Sequence, residues 1–249
     1  MTKIIQKPSF REVVAVTTMN LDDFGLAFNA SRVGPLAFAG LRNANYGPGF
    51  RMSTMSEIIP LVYTSLKNQN EPAAKNVIQS LHERWITGNT ATLYTSKGIF
   101  VQDNPEMNSG VVVMDTKTLE NQLGSHQENN VIFSDDGSVR FTPYGFKKRH
   151  QSSSELAKNS GVLALVGSRE NAEMLAEISK DYPQDPSLFT LDDKAESQIK
   201  VVALNTYDFI DRLALIAGNS ARDHVRCSYG VRELKKGFFN SLLKSWRKR

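Results

Sequence analysis

A turn signal at Ser134-Asp-Asp-Gly137, between two short apolar segments, places the strongest local constraint on this chain. Glycine after aspartate adopts the backbone conformations of tight turns, and such turns join antiparallel strands. Residues 131–133 and 138–142 are therefore predicted to form one β-hairpin. Residues 90–95 and 98–102, which flank a second glycine-containing turn, are predicted to form another. Antiparallel pairing is thus expected in at least two places.

Capping patterns and apolar spacing predict the helices. Thr54 precedes Glu57 by three residues, and Ser152 precedes Glu155 by three, a spacing in which side chain and backbone cap each other at a helix start. Asp115 is expected to cap a short helix that ends before Gly124. Apolar residues at helical spacing predict three further helices, over residues 71–86, 168–180 and 206–216.

Continuous apolar runs predict buried strands. Residues 161–166 form such a run, and residues 111–114 form another. With the helix over 168–180 and a strand over 187–191, the first run makes a βαβ-like unit, which requires parallel pairing. Parallel pairing together with the two hairpins predicts an α+β fold with a mixed sheet and flanking helices.

Residues 24–50 differ from the rest of the chain. They carry five glycines and five aromatic residues, and no acidic residue occurs between Asp23 and Glu57. No regular period runs through them, so an extended N-terminal arm is expected. The arm either wraps its own domain, reaches a neighbouring subunit or stacks on single-stranded nucleic acid. Its candidate binding residues are Phe28, Arg32, Phe38, Arg42 and Tyr46.

The last residues predict a short amphipathic helix. At ~3.6 residues per turn, five apolar side chains fall within an arc of roughly 140°. A helix of about twelve residues is marginal alone and too short to span a bilayer. The apolar docking residues are Phe238, Phe239, Leu242, Leu243 and Trp246. The basic ones are Lys244, Arg247, Lys248 and Arg249.

The net positive charge of the chain is confined to this end. Residues 232–249 carry a net charge of +6, whereas the whole chain carries +4, so residues 1–231 carry −2. A body that binds nucleic acid diffusely is therefore not favoured. The helix either packs on its own core, docks on a partner or lies on an anionic membrane surface. Three regions are predicted: the arm over 1–53, an α+β domain over 54–231 and the basic helix over 232–249.

Composition bounds the remaining possibilities. The single cysteine, Cys227, excludes a disulfide within one chain and favours a reducing compartment, so a cytoplasmic location is expected. The first residues lack the apolar segment of a signal peptide. No histidine pair has the spacing of a zinc motif, and no glycine-rich nucleotide motif occurs. We therefore expect no metal site and no cofactor.

Three side chains support a rival hypothesis of enzyme activity. Asp208 and Asp211 would share one face of the predicted helix over 206–216, and His224 follows in the chain. If they converged, they could support a small metal-dependent hydrolase or nuclease. His224 could also pair with Cys227, although a buried structural cysteine is the more ordinary interpretation. The helix beginning at Ser168 presents an N-terminus of the kind that can hold an anion.

Two segments carry a resemblance to known sequences. Residues 85–105, which end in Asp103-Asn104-Pro105, and residues 141–146 followed by 155–158 resemble uncharacterised archaeal proteins. The resemblance covers residues 50–205 and implies no activity.

The leading hypothesis is a non-catalytic interaction or assembly protein. It would dock through the arm and the basic helix on a protein partner or on a second copy of itself. One alternative is a nucleic-acid-binding protein that uses the arginines of the arm and the basic segment 232–249, called the tail below. The hydrolase is another alternative. An anionic membrane surface is a further partner class for the tail.

Overall fold

The computed structural model describes residues 19–34, 38–191, 197–207, 211–217 and 226–234. The predicted C-terminal helix, Asp208 and His224 lie outside these residues. The helices of the described part are α1 (Phe38–Arg42), α2 (Met55–Lys67), α3 (Pro72–Glu83), α4 (Thr116–Gln122), α5 (Ser153–Leu156), α6 (Ser160–Val166) and α7 (Arg169–Ser179). A 3₁₀ turn covers Asp22–Phe24.

The strands lie between these helices along the chain, several of them in succession. The first eight are β1 (Met19–Leu21), β2 (Leu26–Gly34), β3 (Arg51–Met52), β4 (Trp85–Tyr94), β5 (Gly98–Asp103), β6 (Glu106–Asn108), β7 (Val111–Val113) and β8 (Leu123–Glu128). The others are β9 (Val131–Ser134), β10 (Val139–Pro143), β11 (Arg149–His150), β12 (Ser187–Phe189), β13 (Gln198–Tyr207), β14 (Arg212–Ile216) and β15 (Arg226–Glu233).

One large sheet organises the molecule. Its main path runs β11-β12-β14-β13-β4-β5-β10-β9-β8, and β15 joins β4 to β2 and β3. The β12–β14 and β15–β4 pairs are parallel, whereas the other pairs in this sheet are antiparallel. Strand β5 follows β4 and pairs with it antiparallel, as β10 does with β9. The α+β class with a mixed sheet is therefore confirmed.

The main core lies between the sheet and the helices α2, α6 and α7. Ile58 and Ile59 of α2 and Leu163 of α6 pack in one buried cluster with Ile99 and Val101 of β5. Successive strand residues point to opposite faces. A separate cluster accordingly holds Phe100 of β5 on the other face, with residues that include Leu93, Leu119 and Val139.

Capping residues fix several helix starts as predicted. Helix α2 begins after Thr54, whose N–H donates to the Glu57 carboxylate at 2.8 Å. Helix α5 begins after Ser152, where the side chains of Ser152 and Glu155 each accept a hydrogen bond from the backbone of the other. Ser168 accepts a hydrogen bond from the N–H of Asn171 and starts α7. These three starts are confirmed because local hydrogen bonds determine them.

The predicted strand over 161–166 is wrong, and so is the βαβ-like unit built on it. The segment is α6, whose N-cap Asn159 accepts hydrogen bonds from the N–H groups of Gly161 and Val162. Gly167 ends the helix with a φ of 87°. Every residue from Gly161 to Val166 is buried, so the segment shows no polar face and its periodicity is hidden.

The predicted helix over 206–216 is also wrong. Strand β13 extends to Tyr207, Asp211 has a φ of 41°, and β14 begins at Arg212, which pairs with Tyr207. The segment from Leu213 to Ile216 is buried and paired on both sides, and a strand in that position reads as a continuous apolar run. The described residues on both sides of 208–210 are therefore strand or turn, not helix.

Two smaller predictions, one boundary and one burial, also differ from the structure. Helix α3 ends at Glu83, and Trp85 begins β4, so residues 85–86 belong to the sheet. The strand over 111–113 is not buried as predicted: Val111 is 66% exposed and Val113 is 46% exposed. It pairs with β6 in a separate two-stranded sheet, which leaves one of its faces open to solvent.

Much of the segment predicted as an extended arm is built into the fold. Strand β2 pairs with β15 along Leu26 to Gly34. Phe28 lies in the main core, whereas Phe38 and Tyr46 pack with Leu41 in a second cluster. The described part of this segment therefore wraps its own domain, which was one of the three interpretations of the sequence.

We expect Gly88→Ala to destabilise the fold. A Cβ at position 88 in β4 would lie 2.6 Å from the backbone nitrogen of Met55, at the start of α2. The helix would have to move, at a cost of about 1–3 kcal/mol in the free energy of unfolding. Urea denaturation measures this loss, and Ser96→Ala at an exposed turn should change the value by less than about 0.5 kcal/mol. Equal stability of the two variants would contradict the close approach of β4 to α2.

Candidate functional site

An open polar cleft of about 320 Å³ lies where the first turns of α2 and α7 meet the end of β5 and the β9–β10 turn. Its lining includes Arg51, Ser56, Asp103, Arg140, Ser168 and Asn171. The start of a helix carries partial positive charge and N–H groups that have no partner within the helix. Two such starts place partial positive charge at the cleft, where the N–H groups of Met55 and Asn171 are already bound by Thr90 and Ser168.

A buried ion pair forms the floor of the cleft. Arg140 lies in β10 opposite Val101 of β5, and Asp103 follows two residues later at the end of β5. The Nη1 atom of Arg140 lies 2.9 Å from Oδ2 of Asp103, and the two side chains are 1% and 9% exposed. At this burial each charge depends on the other, because an unpaired charge in the interior is costly.

Hydroxyl groups connect this ion pair to α2. Thr90 of β4 donates to Oδ1 of Asp103 at 2.5 Å, and its oxygen accepts the N–H of Met55 at 2.9 Å. Ser56 donates to Oδ2 of Asp103 at 3.4 Å. One carboxylate therefore holds together β4, β5, β10 and the first turn of α2.

Part of the Arg140 guanidinium remains without a partner. Its Nη1 atom also donates to the carbonyl oxygen of Gly137 at 3.3 Å. Its Nε and Nη2 atoms are buried and have no hydrogen-bond partner among the described residues. Gly167 provides room for this side chain, since a Cβ there would lie 2.6 Å from Nη1. The glycine that ends α6 is thus also needed at the cleft.

The other carboxylates of the cleft are engaged in structural hydrogen bonds. Both oxygens of Glu57 accept from Arg51, at 2.7 and 2.9 Å, and one of them also caps α2. Asp136 accepts from Ser134 and from the backbone and hydroxyl of Ser138, and these hydrogen bonds lower its pKa to about 2. No group of three or more His, Cys, Asp and Glu side chains arranged for a metal ion occurs within the described ranges.

Asn171 fixes the distance between the two helix starts. Its side-chain amide donates to the carbonyl oxygens of Ser56 in α2 and Val166 in α6, at 2.9 and 2.7 Å. Since both acceptors are main-chain atoms, the contact locks the backbone on both sides of the cleft. The cleft is therefore a pre-formed feature of the fold.

A second polar cluster joins His150, Ser187 and Arg212. Arg212 Nη1 lies 3.1 Å from His150 Nε2, and His150 Nδ1 lies 2.6 Å from the hydroxyl oxygen of Ser187. Arginine can only donate, so Nε2 is the acceptor and Nδ1–H donates to Ser187. The serine therefore accepts from the imidazole, which is the reverse of what an activated nucleophile requires.

The structure places the candidate residues of the arm as follows. Phe28, Phe38 and Tyr46 are buried in the chain's own core, which leaves their rings little surface for a partner. Arg32 donates to the carbonyl oxygen of Asn45 at 2.6 Å, and Arg42 donates to that of Pro105. The nine candidate residues of the basic helix, Phe238 to Arg249, lie outside the described residues.

The candidate catalytic residues are only partly described. Asp211 is exposed between β13 and β14, whereas Asp208 and His224 lie outside the described residues. Cys227 is completely buried in the core, and burial raises the pKa of its thiol to about 12. A thiolate nucleophile is disfavoured there.

Sequence reasoning found one part of the cleft and missed another. It identified the N-terminus of α7 at Ser168 as able to hold an anion. It missed Asp103 and Arg140, although both are charged residues on or next to segments predicted as strands of a hairpin. Charge inside a buried strand requires a partner, and that signal could have paired them.

We expect Asp103→Ala to cost about 3–5 kcal/mol in the free energy of unfolding, because it leaves the Arg140 charge buried and unpaired. The double variant Asp103→Leu/Arg140→Met should recover part of that loss, since no isolated charge remains. Denaturation of the wild type and the variants measures both effects. Lys180→Ala, which breaks an exposed pair with Glu177, is the control and should change stability by less than about 1 kcal/mol. An Asp103→Ala loss no larger than the control would contradict the pairing.

Cys227 should react slowly with iodoacetamide at pH 7 in the native protein and rapidly in denaturant. The raised thiol pKa and complete burial both suppress the reactive thiolate. Mass spectrometry of the alkylated protein follows the reaction. Fast alkylation without denaturant would show that the strand holding Cys227 opens readily.

Comparison with known proteins bears on the fold. No family model matches the sequence, and no curated protein matches it. This chain is similar to a solved structure of a protein from Nanoarchaeota. That structure is described as showing how the C-type lectin fold accommodates massive sequence variation. The TM-score is 0.54 and the sequence identity 14%, and the match covers 89% of this chain and 100% of the other. The chain is therefore similar in fold to a protein with the C-type lectin fold.

Proposed function

We propose that this chain is a non-catalytic interaction or assembly protein. The observation that carries this proposal is that the carboxylates of the cleft and the imidazole of His150 are already engaged in hydrogen bonds within the chain. Glu57, Asp103 and Asp136 are each bound by internal donors, and His150 donates to Ser187. An enzyme keeps its acid, base or nucleophile available to a substrate, whereas these groups stabilise the fold.

The fold likeness supports a binding role. The similar protein from Nanoarchaeota is described as one in which the C-type lectin fold accommodates massive sequence variation. A framework that tolerates such variation suits a protein whose surface meets different partners. For this chain the proposal is that the mixed sheet is a rigid support and that docking elements lie at its periphery.

The main docking element is the basic C-terminal segment. Residues 232–249 carry +6 on a chain whose remainder carries −2. Strand β15 ends at Glu233, and the N–H of Leu234 donates to the carbonyl oxygen of Gly25 at 2.8 Å. The residue that precedes this segment is therefore anchored to the sheet. The segment would dock on a protein partner or on a second copy through Phe238, Phe239, Leu242, Leu243 and Trp246.

The arm contributes less to docking than the sequence suggested. Its rings at positions 28, 38 and 46 are buried in the chain's own core, so any docking through it would rely on exposed polar groups. Arg32 and Arg42 already donate to main-chain carbonyls. The proposal therefore gives the arm a supporting role in holding β15, from which the tail departs.

Insertion into a membrane is a separate question from docking on a partner. Among the residues that the structure describes, no helix has the length and apolarity needed to cross a bilayer. Surface attachment of the tail to anionic lipid and its binding to nucleic acid are outcomes that the following experiment distinguishes.

Deletion of residues 235–249 should leave the domain folded and remove docking. Light scattering measures the mass, flotation with vesicles of anionic lipid measures membrane attachment, and a salt titration measures nucleic-acid binding. Loss of a dimer or of a protein complex supports the proposal. Loss of lipid binding alone, or of salt-sensitive nucleic-acid binding alone, would replace it with the corresponding alternative.

The matched control keeps the apolar face and removes the charge. Substituting Lys244, Arg247, Lys248 and Arg249 by glutamine should preserve protein docking if the apolar side chains supply the contact area, since buried aromatic side chains dominate such interfaces. A truncated chain that retains its mass and all its binding would refute the docking proposal. A truncated chain that unfolds would show that the helix belongs to its own core.

A further inference from the structure

We infer that the 3₁₀ turn Asp22–Phe24 is a docking surface for residues 235–239 of the same chain. The two lysines of that segment would pair with the two aspartates of the turn, and its two phenylalanines would cover Phe24. The contact lies within one chain. It therefore goes beyond the proposed function and does not depend on docking with a partner.

The end of β15 lies beside this turn. Glu233 pairs with Leu26 in the antiparallel register of β15 and β2, and the N–H of Leu234 donates to the carbonyl oxygen of Gly25 at 2.8 Å. Gly25 directly follows the turn. Successive Cα atoms are about 3.8 Å apart, so residues 235 and 236 begin within about 8 Å of the Cα atom of Leu234. Their long side chains can therefore reach the turn.

The turn presents two negative charges to these lysines. Asp22 and Asp23 are exposed, and neither forms an ion pair with a described residue. Glu233 is exposed as well, so three carboxylates lie near Leu234. Lys235 and Lys236 are the next two residues of the chain. One exposed ion pair favours a contact by roughly 1.4- to 5-fold, so two pairs together give a measurable preference.

The turn also exposes an aromatic ring. Phe24 is 40% exposed, and the N–H of Gly25 donates to the carbonyl oxygen of Asp22 at 3.0 Å, which closes the turn beneath it. Phe238 and Phe239 follow Leu234 within five residues, a distance of at most about 18 Å along an extended chain. Aromatic rings in contact gain stabilisation beyond the area that they bury.

Proximity and composition together specify the occupant. A segment that few residues separate from its surface is present there at a high effective concentration. Residues 235–239 read Lys-Lys-Gly-Phe-Phe, so one short segment supplies both the cations and the rings that the turn can accept. Gly237 lies between the two pairs, and its conformational freedom permits the change of direction that brings the rings to Phe24.

The contact would compete with docking. Phe238 and Phe239 are also docking residues in the proposed function, so a partner that used these rings would have to displace them from Phe24. The apolar residues beyond position 240 would stay available to that partner. The turn would thus restrain the start of the tail until a partner binds.

Limited digestion of the full chain with trypsin tests the contact, because trypsin must bind the lysine side chains that the aspartates would hold. Mass spectrometry measures the initial rate of cleavage after Lys235 and Lys236. At low salt we expect Asp22→Asn/Asp23→Asn to raise this rate at least about threefold, since both negative charges are removed. We expect Phe24→Ala to raise it at least about twofold, since the ring contact is lost.

Matched controls remove the same kinds of group elsewhere. Glu120→Gln/Asp185→Asn removes two exposed negative charges, and Val111→Ala shortens an apolar side chain that is 66% exposed. Both controls should leave the rate of cleavage unchanged. Dilution of the protein by about tenfold should also leave it unchanged, because a contact within one chain does not depend on concentration.

Unchanged rates in the two variants would overturn the contact, and so would an equal rise in the controls. A rise in only one variant would also overturn it, since the contact requires both the charges and the ring. Protection that disappears on dilution would assign the contact to a second copy and overturn its placement within one chain. The docking proposal is decided by the mass of the truncated chain, so the two proposals can fail independently.

Discussion

The buried pair of Asp103 and Arg140 is the interaction on which the rest of the structure most depends. It joins β5 to β10, and through the hydroxyl of Thr90 it also holds β4 and the first turn of α2. Two charges removed from water stabilise a fold only when their geometry and hydrogen bonds compensate the loss of solvation. Here both carboxylate oxygens of Asp103 accept hydrogen bonds, whereas Nε and Nη2 of Arg140 have no partner among the described residues.

The cleft belongs to the described domain, whereas the tail is the segment through which docking is proposed. The cleft is pre-formed, because Asn171 links the backbones of α2 and α6 and Gly167 makes room for Arg140. The tail includes Leu234, whose N–H is hydrogen-bonded to Gly25, and carries the positive excess of the whole chain.

Predictions from the sequence succeeded where neighbouring residues determine the structure. The helix starts after Thr54, Ser152 and Ser168 followed from hydrogen bonds within three residues of each cap. The α+β class also followed, because helices and hairpin turns are encoded locally. The mixed sheet was predicted from a βαβ-like unit that does not form, and the parallel pairs are instead β12–β14 and β15–β4. The predictions failed at residues 161–166 and 206–216, where complete burial or pairing on both sides removed the polar face that distinguishes helix from strand.

By itself the sequence determined the fold class, several helix starts and the confinement of the net positive charge to residues 232–249. These properties depend on composition and on contacts between near neighbours. Only the tertiary structure decided that Phe28, Phe38 and Tyr46 are buried and that Asp103 meets Arg140 37 residues later in the chain. The register between β5 and β10 sets that meeting, and register depends on how whole faces of the sheet are buried. The buried pair of Asp103 and Arg140 is therefore a product of packing that no local pattern contains.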